Sequence, residues 1–300
     1  NFGYSAIARE DGDLTIETSF ITGPSSVTTS GNEDDNDLLQ ASADGNLTIT
    51  RSRLDRNDVG DYISGAVDAS GNAFVDGVNG VDPRAELVGG TIAGTADISP
   101  FIIPPNTDDQ DPNTPGFQGD FSDLIVTTDG GQVGSIGRLA EANSLLDLSG
   151  GSATLRVDAD PNDLNVTGPV TLAEGTALEL TSGTLNISGT LTIEASSSAE
   201  LASGTVLGLT SGTLNISGTL TIRDESNAEL ASGTVLELTS GTLTIDDGGS
   251  LTLASDDTGS AFISGAGTGT INGDVTIERF IEKSDNAPHF RFLSSPLSVL

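Results

Sequence analysis

The residues of this chain best spaced for chemistry are oxygen donors. Asp109, Asp111 and Asn113 stand two apart, and Asp120 falls at the twelfth position counted from Asp109. In an EF-type loop, oxygens at alternate positions and a carboxylate at the twelfth wrap one hard cation. Two positions depart from that pattern: Thr114 occupies the sixth place, where glycine makes the sharp turn, and the twelfth is Asp rather than Glu. Asp109, Asp111, Asn113 and Asp120 are therefore the candidate Ca2+ ligands, weighed against a solvated acidic loop. Asp158-Ala159-Asp160-Pro161-Asn162-Asp163 opens in the same way but reaches Pro169 at its twelfth position. Glu33-Asp34-Asp35-Asn36-Asp37 reads as a self-repelling surface turn.

Other chemistries find less to work with. His289 is the sole histidine and the chain has no cysteine, so neither a His/Cys metal site nor a thiol nucleophile can be assembled. The apolar setting of His289 favours a structural role. No glycine-rich phosphate motif with a lysine is present. Asp246-Asp247 and Asp256-Asp257 are carboxylate pairs of the kind glycoside hydrolysis uses, but they fall in turns without an aromatic platform nearby.

The elements that would position these groups are written in a duplication. Leu180–Gly208 recurs as Leu209–Glu237, so that Leu185 returns 29 residues on as Leu214, and a partial third copy starts at Leu238. The copies differ only at Glu194/Arg223, Ala195/Asp224, Ser196/Glu225, Ser198/Asn227 and Gly208/Glu237. Self-similarity at a fixed period marks one supersecondary unit stacked on itself. Apolar residues come in pairs two apart: Leu178/Leu180, Leu185/Ile187, Leu191/Ile193, Ala199/Leu201 and Leu207/Leu209, continuing to Leu251/Leu253. A spacing of two puts both members on one face of a short strand, and Ser-Gly steps between pairs supply bends. Strands this short must stack to bury their apolar face, which predicts a parallel β-helix. The steps between pairs run 7, 6, 8 and 8. They fit two flattened two-strand turns or one and a third turns of a three-sided coil equally well.

Composition agrees. The chain has 300 residues, 38 Gly, no Cys, Met or Trp, and 4% aromatics, too little aromatic volume for a thick core but enough for one a side chain deep. The 44 Asp+Glu against 11 Lys+Arg give a net charge of −33, with Lys283 the only lysine. That sign excludes a nucleic-acid partner and an anionic membrane surface. It keeps a protein soluble where salt screens charge over about 8 Å, and divalent cations are the sharper alternative. No apolar run approaches the ~18 residues of a membrane-spanning helix. No signal peptide is visible, as in a secreted mature chain or an internal fragment.

Residues 1–165 differ in texture, holding most of the prolines and acidic clusters. Strands are expected at Leu14–Glu17, Leu47–Thr50, Glu86–Ile92, Leu124–Thr128 and Ala153–Val157, a short helix or turn within Ile136–Leu148, and a loop or linker over Pro100–Gly119. The expected architecture is all-β throughout. Residues 1–165 form an irregular β-rich or β-sandwich region that caps the solenoid, residues 166–281 are the parallel β-helix, and residues 282–300 begin a following domain.

The far end carries a resemblance. "GTINGDVTIERFI" followed by "HFRFLSSPLSV" resembles the junction in large secreted surface proteins of Bacteroidota, where a Ser/Thr/Gly-rich β-helix ends in an "N-G-x-V-T-x-E-R-[FY]-I" strand before a β-sandwich. The likeness covers roughly residues 170 to 300. It implies the family of type IX-secreted adhesins and filament proteins: surface display, attachment, gliding or prey capture, on a longer polypeptide. On this reading the chain is an extracellular structural segment, without enzymatic activity and without membrane insertion, whose partners are further copies of itself or cell-surface and glycan targets.

Two other classes stay open. Parallel β-helices include pectate-lyase-type enzymes, which need calcium carboxylates and a base on one face; Arg223 is the only base in the repeat, and Glu194 is its counterpart. A calcium-dependent binding module would use the Asp109 loop. The outward pairs Thr190/Thr192, Thr219/Thr221 and Thr242/Thr244 also invite an ice-binding face, although Thr is simply a good exposed strand residue.

Overall fold

The computed structural model describes residues 6–8, 14–17, 20–22, 39–41, 47–55, 63–64, 67–69, 72–76, 79–89, 92, 98–102, 106–127, 153–264 and 267–281. Glu33–Asp37, Ile136–Leu148, His289 and the segment 282–300 lie outside the described residues.

From Asp123 to Ile277 the strands form three parallel stacks. The first side holds Asp123–Thr127, the first part of Ala153–Thr167, the first part of Thr176–Ser188, Ser198–Leu201, Thr219–Ile222, Thr242–Ile245 and Thr270–Asn272. The second side holds the latter parts of the two long strands, then Val206–Ser211, Asn227–Leu230, Ser250–Leu253 and Val275–Ile277. The third side holds Val170–Leu172, Leu191–Ile193, Thr213–Ile216, Val235–Leu238 and Phe262–Ser264. The chain visits sides one, two and three and then climbs a rung. It is a three-sided parallel β-helix, and residue 166 falls inside the strand Ala153–Thr167.

This decides the register. A turn takes three strands and the duplicated unit takes four, so the unit is one and a third turns. Leu178 and Leu180 on the first side recur as Leu207 and Leu209 on the second, and Leu185 and Ile187 on the second recur as Leu214 and Ile216 on the third. Each copy is rotated by one side relative to the last. That is permitted because all three sides face one core and the corners are interchangeable. Ser188-Gly189 joins the second side to the third, whereas its twin Ser217-Gly218 joins the third to the first. At the tight corners rungs touch through backbone: Gly212 has φ +86°, and a Cβ there would run into the carbonyl oxygen of Gly189 one rung below, so only glycine fits.

The wider corners share one device. Ser197, Thr205, Ser226 and Thr234 are buried polar residues, and each donates both its N–H and its hydroxyl to the carbonyl three residues back, at Glu194, Ala202, Arg223 and Ala231. The hydroxyl bonds span 2.5–2.7 Å. A buried hydroxyl is satisfied locally, as burial demands. The residue before it takes a left-handed conformation, glycine at Gly204 and Gly233 but Ser196 (φ 63°) and Glu225 (φ 59°) in the matching corners of the two copies.

Inside, side chains stack in continuous rows such as Leu178–Ala199–Leu220–Leu243 and Val166–Ile187–Leu209–Leu230–Leu253, all buried. Burying one Leu or Ile is worth about 1.5–3 kcal/mol, and each rung brings several.

The first region is β-rich as expected, but its described strands are coils of the same kind rather than a sandwich. Ala6–Ala8, Leu39–Ala41 and Ile63–Ser64 stack in parallel, as do Leu14–Glu17, Leu47–Thr50 and Val67–Asp68, and also Phe20–Thr22, Arg53–Asp55 and Ala73–Asp76. The expected strand over Glu86–Ile92 is corrected: Pro83–Gly89 is a helix. Asp82 caps it, accepting from the Arg84 N–H at 3.0 Å, Pro83 needs no amide partner at the first helical position, and Glu86 lies in the first turn. Loop 106–122 then lays Phe117 and Phe121 on the coil core beside Ile102 and Ala73, with Phe117 edge-on to Phe20. The buried aromatic rings, Phe74, Phe101, Phe117 and Phe121, sit in this region, and none is buried among the described residues from Ala153 to Ile277.

Candidate functional site

Loop 106–120 is the first place to look for a site, and its carboxylates are turned onto their own backbone. Asp109 Oδ1 accepts from the Gln118 N–H at 2.9 Å. Asp111 accepts from the Thr114 hydroxyl at 2.6 Å and from the Asn113 N–H at 3.1 Å, and these bonds, the Thr114 hydroxyl first, hold its pKa below the usual carboxylate value. Asp120 Oδ1 accepts from the Ser122 hydroxyl and N–H at 2.6 and 3.0 Å. Asn113 donates its amide to Asp111 at 3.3 Å. The spacing that echoed a cation loop is read out as successive Asx turns, and Asp109, Asp111, Asn113 and Asp120 are not gathered around one point. Among the described residues no group of three or more His, Cys, Asp or Glu side chains is placed to hold a metal. Asp158, at the head of the second acidic run, lies in a strand and pairs with Arg84 and the Ser182 hydroxyl.

The arginines, scarce in so acidic a chain, tie rungs together. Arg156 pairs with Asp123 on the rung before and with Glu179 on the rung after, the latter at 3.2 Å, and the Asp123 hydrogen bond raises its pKa. Arg223 forms two 3.0 Å bonds to Glu200 on the rung before and a 3.4 Å contact to Asp246 on the rung after, and its pKa is raised chiefly by Glu200. Arg223 is thus a staple across three rungs, not a base in a cleft. The Arg223 pairs are exposed, and each contributes little alone. Arg223→Glu, the residue the first copy carries at Glu194, sets three acids in a column. It is expected to lower the melting temperature at low ionic strength, with the gap narrowing as NaCl is added.

Thr219/Thr221 and Thr242/Thr244 do stack in register on the first side, and Thr270 follows. Thr192 stacks on Thr171 on the third side instead. The three threonine pairs therefore do not share one face.

A cavity opens on the outer surface of the described coil. On the second side the outward row runs Asn165, Asn186, Gly208, Glu229, Thr252 and Thr276. Gly208 has no side chain to fill its place, and a notch of about 180 Å³ opens there, lined by Asn186, Val206, Leu209, Thr210, Glu229 and Ala231. The signal was in the duplication: Gly208/Glu237 is the one difference between the copies inside a strand rather than at a bend or strand end.

Asp256, in the turn that leads to Phe262–Ser264, accepts from the hydroxyls of Thr258 at 2.6 Å and Ser232 at 2.7 Å. These bonds, with the Thr258 and Gly259 amides, hold its carboxyl at about 2, below the usual 3.8. Because the folded value is depressed, its stabilisation is whole above about 3.8 and is lost as pH falls through about 2. The melting-temperature difference between the wild type and Asp256→Ala is thus expected at pH 7 and expected to vanish below pH 2.

Among the described residues no helix is long and apolar enough to cross a membrane. Comparison of the chain with protein-family models, curated proteins and solved structures finds no match.

Proposed function

We propose that this chain is a stiff, non-catalytic segment of an extracellular surface adhesin or filament, serving attachment, motility or the capture of prey or surfaces. The observation that carries the reading is the unbroken stacking. Parallel hydrogen-bonded ladders run along three sides from Ala153 to Ile277, around one continuous apolar core. Each rung adds about 4.8 Å of length, and bending such a rod breaks hydrogen bonds on one side while crowding leucines on another. Most outward side chains are short, polar or acidic, which keeps neighbouring fibres in solution. The resemblance of residues 170–300 to Bacteroidota type IX-secreted surface proteins supports display outside the cell. On this reading, copies of the chain associate along their length, and the targets are cell surfaces or glycans.

Electron microscopy of native material from cells or culture supernatant tests this. Long fibres of uniform width are the expected result, and their symmetry gives the oligomeric state. Compact separate particles would sink the filament reading.

A further inference from the structure

We propose that the notch over Gly208 binds a primary ammonium group carried on an aliphatic stem, as in an exposed lysine side chain of a partner protein. The proposal goes beyond the structural role above and does not depend on it.

The duplication shows what is particular to this position. In the first copy Asn186 lies one rung below Gly208. In the second, its twin Asn215 lies one rung below Glu237. The asparagine below repeats, but the rung above does not: Glu229 stands over Gly208 and Ser264 over Glu237. Only the Gly208 copy thus pairs an amide and a carboxylate across a residue without a side chain. Glycine inside a strand packs nothing and commonly marks a place where another group comes close.

The groups facing the opening define what can enter. Asn186 donates its side-chain Nδ2 to Asn165 Oδ1 at 3.1 Å, which turns its own Oδ1 toward Gly208, where an added Cβ would meet it. One rung above stands the carboxylate of Glu229. Both groups accept hydrogen bonds. The Thr210 hydroxyl is directed at the Ile187 carbonyl, at 3.4 Å. An ammonium offers three donors and no acceptor, which suits a site of acceptors, whereas a sugar hydroxyl also seeks donors. Asn186 and Glu229 are two rungs apart, about 9–10 Å along the stack, so a side chain can enter between them. Val206 and Ala231 line the opening and give the methylenes of the stem an apolar wall, as lysine stems commonly find. The net charge of −33 draws cations toward the surface.

The test is an amide-resolved NMR titration of the whole chain with Nα-acetyl-lysine amide, its Nζ-acetylated form and methyl glucoside. Saturable shifts at Gly208 and Glu229 with the free amine alone are expected. Gly208→Thr, whose Cβ displaces the Asn186 Oδ1 and fills the notch without adding charge, should abolish them. Glu229→Gln, which keeps the shape and removes the charge, should weaken binding severalfold. Equal shifts with the Nζ-acetylated form or the glucoside would overturn the proposal. So would shifts that survive unchanged in both variants, the mark of diffuse attraction to an acidic surface. The absence of any saturable shift would do the same.

Discussion

Asn72→Ala is expected to cost about 3–5 kcal/mol and to strip protection from the rungs around it. Asn72 is completely buried at a corner of the first coil, where its side chain bonds three backbone groups. Its Nδ2 donates to the carbonyls of Ile49 at 2.6 Å and Ala69 at 2.8 Å, and its Oδ1 accepts from the Ser52 N–H at 2.8 Å. Its own carbonyl accepts from the Ile102 N–H at 3.0 Å, so the residue also ties the coil to the junction. Alanine removes one bond from each of two buried carbonyls and one buried N–H, at about 1–3 kcal/mol each. Aspartate keeps the acceptor but points a carboxylate at two carbonyls, and should be worse. Hydrogen exchange is the right readout, because stacked coils need not unfold as one unit. Amides of 47–55 and 72–76 should lose protection while those of 213–253 hold theirs. Uniform loss, or a cost under 1 kcal/mol, would mean that Asn72 is not the clasp described.

Leu220→Ala is expected to cost about 3–5 kcal/mol, against no more than about 0.5 for Thr221→Ala on the next residue. Leu220 is fully buried and stacks between Ala199 below and Leu243 above. Ala199 is already small, so the shortened side chain opens a void across two rungs that rigid ladders cannot collapse to fill. Thr221 points outward from the same strand, between Glu200 and Thr244, and its loss removes little buried surface. Urea unfolding of both variants, followed by circular dichroism, measures the contrast. Similar costs at the two positions would invalidate the inward assignment of the row.

The alternation of inward and outward residues was legible from the chain alone, because a strand's period of two is local and every pair from Leu178/Leu180 to Leu251/Leu253 obeys it. The coil follows, since strands of three or four residues can bury their apolar face only by stacking. The number of sides was not legible. Corner steps of 6, 7 and 8 residues suit two sides or three, and only the pairing of Leu178 with Ala199 rather than with a residue farther along settles it.

The first coil was hidden for a related reason. Leu14 stacks on Leu47, 33 residues away, and Leu47 on Val67, only 20 away, so no fixed period announces it. Pro83–Gly89 went unread because an Asp-Pro start was outweighed by a short apolar run. The Asp109 loop had the spacing of a cation site, and in the structure Thr114 and backbone amides bond several of the same oxygens. Gly208 was visible as a difference between copies. That it opens a notch between an amide and a carboxylate depends on which residues lie one rung above and below. Sequence alone determined what each strand buries and what it shows to water, because that is settled within a few residues. Which strands meet, how many sides the coil has and where its surface opens belong to the tertiary structure, because stacking joins residues twenty or more apart through corners whose lengths vary.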